Sequence, residues 1–421
     1  MKESDRDGTT WMRSRQLRGT RGFILAGLTS GHAVFHFLTQ SFMVMLPYVQ
    51  HTFALAAWQV GAITSTREMA SGITTLPGGL MADRTRRHWG LLLALCMAGF
   101  GLGWLTVSLA PAYPLVLLGM VLVAISASTW HLPAAVTLSH YFSRRRGFAL
   151  SIHGIGGSIG DVLGPVVTGT VLVALVWQRA VSFYSIIPLL LAFVVLWAFK
   201  DIGREMTAGQ GPSPTFRDQL RATGHALRDI TLWKVNLVAG LRGMSYVTYI
   251  TFLPLYMSDE LGFGSVKLGL HTGLLVGVGI VATPVMGHLS DKFGRKQVLV
   301  PGLIGLCSLS LLLVNFGSGI PLIFILAALG LFLYSDQPIL SATVLDIVGR
   351  RVATTILGVL HFSRFVLSAI SPLIGGILYD RIGVQATFYY AAGLFAMGAV
   401  LLITIRLRSA DGDDPVAPTP P

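Results

Sequence analysis

The chain has 421 residues, of which 53% are hydrophobic and only 12% charged, with a formal net charge of +12. A soluble domain carries about 25% charged residues, so this composition cannot clothe a water-facing surface, and lipid is the solvent it demands. The two cysteines, Cys96 and Cys307, both lie in apolar stretches, which excludes a disulfide framework and a cysteine metal knuckle.

In chain order, residues 1–21 are polar and basic, without a cleavable apolar core, and read as a cytoplasmic tail. Twelve apolar spans follow, at about 22–47, 58–82, 89–109, 113–140, 148–176 and 181–200, then 231–257, 266–290, 297–316, 321–346, 353–378 and 386–406. About 20 apolar residues cross a bilayer core as a helix, and lipid tolerates no unpaired backbone, so each span is expected to be helical. The domains expected are the tail, a six-helix bundle at 22–200, a central loop at 201–230, a second bundle at 231–406 and a disordered tail at 407–421. In the loop, Phe216, Leu220 and Leu227 share one face of an expected amphipathic helix lying on the membrane surface.

Lysine and arginine set the orientation. With both termini inside, 25 of the 31 fall in cytoplasmic segments, while the external loops hold only Arg179, Lys267 and Arg381. The basic balance therefore meets the anionic inner leaflet, not nucleic acid. A multi-pass inner-membrane protein, acting as a monomer in the lipid bilayer, is the expectation.

The halves repeat at an offset of 207 or 208 residues. Leu46-Pro47 matches Leu253-Pro254, Gly61 matches Gly269, Gly79-x-x-x-Asp83 matches Gly287-x-x-x-Asp291, and Gly164-Pro165 matches Ser371-Pro372. Parallel repeats of six spans place a substrate between the halves near mid-membrane, exposed alternately to each side.

The stretch from Gly79 through Asp83, Arg84 and Arg87 resembles the signature G-x-x-x-D-R-x-G-R-R of the major facilitator superfamily, departing from it at Arg86 and His88. Gly287, Asp291, Lys292, Gly294 and Arg295 repeat it in the second half. The resemblance implies an all-α membrane fold of twelve helices in two pseudo-symmetric bundles. It also implies a gating latch on the cytoplasmic side at Gly79, Asp83, Arg84, Arg87, Gly287, Asp291 and Arg295; a loop that merely sets topology is the alternative. Gly160 to Gly169 is similar to the antiporter signature G-x-x-x-G-P-x-x-G-G, with Thr168 replacing one glycine. Gly164, Pro165 and Pro372 then serve as gating hinges or as plain packing and bending points. A narrower likeness, to fosmidomycin-resistance-type exporters, rests on Ser30-Gly31-His32, Trp130-His131-Leu132-Pro133 and Arg145-Arg146-Gly147. It implies proton-driven export of small anionic or amphiphilic compounds, although span 4 lacks the intramembrane arginine of drug exporters.

Glycine and proline recur in both halves and build the scaffold, whereas the ionisable residues inside spans do not recur. A charge at mid-bilayer costs several kcal/mol unless it faces a cavity or a partner. Arg67, Arg242 and Arg364, each about 14–17 Å into its helix, are candidates to bind an anionic group, since guanidinium matches carboxylate and phosphonate geometry. By offset, Arg242 and Arg364 correspond to Phe35 and Gly157. Glu68, Asp161, Asp336 and His131 are candidates for the coupling proton; interhelical ion pairing is the alternative for all of these charges. Neighbouring Arg67 and Glu68 point about 100° apart on a helix and are expected to serve different partners. His32, His36 and Gln40 form a polar stripe on one face of span 1, and Tyr246, Tyr249 and Trp130 are further candidate pocket liners. His32 and His36 read as a proton relay, a substrate contact or an interhelical hydrogen-bonding pair; two histidines alone are a weak metal signal, and no metal or cofactor is expected. No nucleophile motif and no P-loop are present, so the chain reads as a secondary active transporter and not as an enzyme. An uptake carrier, a uniporter or a non-transporting sensor that keeps the fold are the alternatives.

Overall fold

The computed structural model describes residues 20–200, 202–203, 228–348 and 353–406; the side chains of 76–84, 348 and 353–359 fall outside the described set. Most of the expected N-terminal tail, the amphipathic loop helix and the C-terminal tail therefore lie outside the described residues.

The described chain is helical, with no strand. The helices are α1 (Arg21–Phe53), α2 (Ala57–Arg84), α3 (Trp89–Ser108), α4 (Tyr113–Tyr141), α5 (Arg146–Val171), α6 (Trp177–Ala198), α7 (Ile230–Leu255), α8 (Ser265–Phe293), α9 (Arg295–Phe316), α10 (Gly319–Leu333), α11 (Asp336–Val348), α12 (Ala353–Ile382) and α13 (Val384–Thr404). They form twelve rods, because α10 and α11 together make one. Thr20 caps α1 by accepting from the Phe23 amide, and Asp229 caps α7 by accepting from Thr231. Single glycines with positive φ, Gly294 and Gly383, turn the chain between α8 and α9 and between α12 and α13.

Ten rods among the described residues are long and apolar enough to cross a membrane. The other two, α2 with 28 residues and α7 with 26, are long enough but carry Arg67 and Glu68 or Lys234, Asn236 and Arg242. The chain is thus a multi-pass membrane protein whose less apolar helices turn Glu68, Asn236 and Arg242 inward.

Packing follows the repeat. In the first half α1 lies on α5, α2 on α4, and α3 on α4 and α6. In the second half α7 lies on α12, α8 on α10, and α9 on α10 and α13. Shifting by six rods maps one set onto the other. Each half has its own core: Phe42, Phe100 and Trp104 in one, Tyr249, Phe388 and Phe395 in the other. The halves meet along two symmetric seams, α2 with α12 and α5 with α8.

The expected tenth span is present as Gly319–Ile347, with one departure from a regular helix. It is not continuous but breaks at Tyr334-Ser335. Pro338 has no N–H to give the Tyr334 carbonyl four residues back, so the last turn of α10 loses its ladder there. The freed carbonyls find side chains instead: Arg242 donates to the Leu333 carbonyl, and the Thr283 hydroxyl lies 3.4 Å from that of Tyr334.

Candidate functional site

The chain has a basic end, where α2, α4, α6, α8 and α13 finish, and an opposite end where the α1–α2, α5–α6, α7–α8 and α12–α13 links lie. The seams are closed at the opposite end. Asp380 of α12 accepts from the Ala57 and Trp58 amides at the start of α2, at 2.8 and 3.0 Å. His51 and Asp259 approach to 3.4 Å across the halves. A methyl added at Gly61 would sit 2.1 Å from the Pro372 carbonyl, and one at Gly269 2.4 Å from the Pro165 carbonyl. The seam loosens toward the basic end. A methyl at Gly273 would meet Val166 at 2.6 Å and one at Gly277 would meet Val162 at 3.9 Å, while at Gly154 and Gly287 it would touch nothing within 4 Å. The α5–α8 seam therefore splays open at the basic end.

Between the closed seam and that opening lie most of the candidate charges. On α2, Arg67 and Glu68 bond to each other at 2.9 Å. This corrects the expectation of separate partners: the arginine side chain is long enough to fold back over one residue. In the second half, Arg242 pairs with Asp336 at 2.6 Å, both nearly fully buried. Arg242 also stacks over the Tyr246 ring at 4.9 Å. Asp336 opens α11, where the helix dipole favours its charge. Arg242 therefore staples a broken helix and spends its charge on a carboxylate, so neither group is free.

Arg364 differs. Among the described residues no carboxylate lies within ion-pair distance of it, and its buried Nε has no hydrogen-bond partner. Its guanidinium rests over Phe365 at 4.5 Å. It lines a cleft with Asn236, Gln337, Ser341 and His361. Asn236 Oδ1 and Gln337 Oε1 are likewise buried and unpartnered. Glu68, across the seam, is within electrostatic reach of Arg364. Buried polar groups are normally satisfied, and these three unpartnered atoms belong to one cleft.

The first half gathers His32 and His36 of α1, His131 of α4, and His153 and Asp161 of α5. His36 Nδ1 lies 2.8 Å from Asp161. Gln40 is buried nearby on α1 and borders a cleft shared with Tyr249 and Tyr334 of the second half. One expected pocket liner is corrected. Trp130 is fully buried against Phe35 and Gly31. Tyr249 borders the Gln40 cleft with its ring, while its hydroxyl is turned away to Ser310 on α9 at 2.6 Å. Large aromatic rings fill core volume first. Tyr246 stays half-buried beside Tyr334.

Of the gating residues, Gly79, Asp83 and Arg84 have no described side chain, and Arg87 is exposed. Arg295 pairs with Asp291 one turn before it and with Asp346 of α11 at 3.1 Å. All of these lie in the second half, so among the described residues this copy of the motif makes its ion pairs within one half. Gly164 packs on the Phe37 carbonyl of α1, while Pro165 and Pro372 lie on the seams. Asp380 and Asp259 were missed by sequence reasoning, although 54–58, with no Ser, Thr, Asp or Asn to cap α2, signalled that the cap comes from elsewhere.

The family model of the Major Facilitator Superfamily matches residues 28–283 and 235–421. The chain belongs to the Major Facilitator Superfamily. It is 26% identical over 293 residues to the fosmidomycin resistance protein of Escherichia coli strain K12, covering 69% of this chain and 70% of that protein. It is 25% identical over 436 residues to the probable sulfoacetate transporter SauU of Cupriavidus necator, covering 94% of this chain and 96% of that protein. The crystal structure of the D-xylose-proton symporter superposes with a TM-score of 0.75 at 15% identity, covering 93% of this chain and 98% of that one. The twelve-rod, two-bundle architecture is thus the major facilitator fold. The protein is a secondary transporter of small molecules and not an enzyme.

Proposed function

We propose that this transporter moves a small organic anion bearing at least one hydrogen-bond donor, by alternating access coupled to protons, across the inner membrane with both termini cytoplasmic. The observation that carries the reading is Arg364, a guanidinium without a carboxylate, set beside the unpartnered acceptors Asn236 Oδ1 and Gln337 Oε1. The cation takes the anionic group, and the two acceptors take donors on the same ligand. The sulfoacetate relative, an anion transporter by name, supports the same class.

With the basic end placed inside by the lysine and arginine bias, the present conformation is inward-open. The anion enters between the splayed ends of α5 and α8 and neutralises Arg364. Glu68 is the proton carrier. Its carboxylate engages Arg67 and acts on Arg364, so an anion competes with it for positive charge, and protonation of Glu68 removes the competitor. Asp336 is held by Arg242 and serves structure. Rocking the halves then opens the Asp380 and Gly61 contacts and closes the basic end.

The test is flux of small anions into proteoliposomes with and without a pH gradient. Wild type should respond to the gradient. Arg364→Ala should lose about 100-fold in transport, the worth of a truncated charge pair of about 2–5 kcal/mol, and Arg364→Lys should recover part of it. Glu68→Gln should keep anion exchange while losing the response to the gradient. Unchanged anion affinity in Arg364→Ala would sink the assignment.

A further inference from the structure

We propose that the first half holds a transition-metal site in which His32, His36 and His131 bind a divalent ion of the zinc class. The sequence offers only the two histidines one turn apart on α1. The fold adds His131 from α4, and one ring nitrogen of each of the three lies within 4.8 Å of the other two. The rings of His32 and His36 are 4.5 Å apart, and that of His131 is 5.1 and 6.1 Å from them.

The hydrogen bonds of these rings decide their chemistry. His32 Nδ1 lies 2.8 Å from the His153 carbonyl, His131 Nδ1 2.5 Å from the Ala127 carbonyl, and His36 Nδ1 2.8 Å from Asp161 Oδ1. A carbonyl or carboxylate oxygen only accepts, so Nδ1 carries the hydrogen on all three rings. Each neutral ring then presents Nε2 as a lone pair. One proton can satisfy at most two such lone pairs, whereas one metal ion satisfies three. An imidazole set without thiolate suits zinc, copper, nickel or cobalt. The carboxylate behind His36 is the outer-shell partner that orients and strengthens a histidine ligand, and it offsets one unit of the ion's charge.

A methyl at Gly157 would sit 2.7 Å from His32 Cε1 and 3.2 Å from His36 Cδ2, so only a glycine lets α5 pass this close to the rings. His153 is 6% exposed, with an unpartnered Nδ1, and stacks parallel to His32 at 4.1 Å. A parallel ring cannot point at the same ion, so His153 backs His32 and holds it by its carbonyl. Zinc–nitrogen bonds of about 2.0–2.1 Å put tetrahedral ligands about 3.4 Å apart, a closure within reach of small ring rotations. His36 keeps 33% of its side chain open, which leaves a fourth position accessible. It can take water or an oxygen from an anion.

The test uses full-length, tag-free protein in detergent, stripped with a chelator and titrated with Co2+ and Zn2+. Wild type should bind one equivalent. Bound Co2+ should give the intense visible bands of a tetrahedral site, and Zn2+ should displace it. His36→Ala and His131→Ala should each weaken Zn2+ binding at least about 100-fold, and Asp161→Asn by about 10–100-fold, at unchanged size-exclusion profiles. Should His131→Ala fail to fold, His131→Gln keeps the ring's volume and should lose the ion equally. His271→Ala, at a half-buried histidine on α8, should bind as wild type does. Substoichiometric uptake by wild type, or wild-type affinity in the His36 and His131 variants, overturns the site. Metal binding is read here without flux, so the outcome is separate from that of the anion-transport reading.

Discussion

At the same depth, the two halves carry opposite kinds of polar group. The first half holds a histidine cluster on unbroken helices, partly open to solvent, with lone pairs left over. The second half holds a buried Arg242–Asp336 pair at a broken rod, with both charges spent. By the repeat offset, Phe35 stands where Arg242 stands, and Ser368 where Asp161 stands. Divergence of the repeat has therefore put structural charge in one half and unsaturated chemistry in the other. Arg364 is the exception, the second-half cation that is not consumed.

The sharpest way to break this comparison is to cut the buried pair. Arg242→Ala leaves Asp336 uncompensated and the Leu333 carbonyl without its donor. A loss of about 3–5 kcal/mol is expected, seen as a melting midpoint lower by roughly 5–10 °C. Replacing both partners, Arg242→Met with Asp336→Leu, should restore most of the stability, because an apolar pair of similar size needs no compensation. His36→Ala in the first half should move the midpoint by no more than about 1–2 °C. Equal destabilisation by Arg242→Ala and His36→Ala would erase the distinction between the halves.

A smaller effect is expected at the seams, where the halves must move as units for their difference to matter. Gly269→Val places side-chain carbons against the Pro165 carbonyl, with Gly169 also beside them. Neither backbone can retreat cheaply, and overpacking of this kind costs about 1–3 kcal/mol. That cost falls only on the conformation closed at this end. Transport should drop about tenfold, and an impermeant maleimide added from this end should label Thr64→Cys faster, with Cys96 and Cys307 replaced by serine. Unchanged labelling would show that the seam does not gate.

Much of the seam was legible in the sequence, for a definite reason. The offset paired Gly61 with Gly269 and Pro165 with Pro372, and the structure sets Gly61 on the Pro372 carbonyl and Gly269 on the Pro165 carbonyl. Close backbone approach admits only glycine, so the constraint is written in residue identity. The spans were legible because lipid demands length and apolarity. The break at Tyr334-Ser335 was harder, since Pro338 inside an apolar run reads equally as a kink. Cross-chain pairings were not legible at all. No local rule joins His131 to His32 over about a hundred residues, or distinguishes Arg242, neutralised by Asp336, from Arg364, which is not. Those outcomes depend on which faces of different helices meet.

The finest test is at Asp380, which ties the start of α2 to α12 through two amides. The link 54–56 supplies no side-chain acceptor to the Ala57 and Trp58 amides, so the second half completes a helix of the first. The bonds exist only while the opposite end is closed, since opening that seam carries α12 away from α2 and hands both amides to water. A helix cap is worth about 1 kcal/mol, and because this one favours a single conformation, its loss shifts the equilibrium between conformations and not only the stability of a half. Asp380→Ala should therefore raise the population open at the opposite end by about fivefold. The same Thr64→Cys labelling reports it, and Asp380→Asn, which keeps an acceptor oxygen but no charge, should fall between. If Asp380→Ala lowers the melting midpoint without changing the labelling rate, the carboxylate only stabilises α2 and the two halves do not use it to hold that end shut.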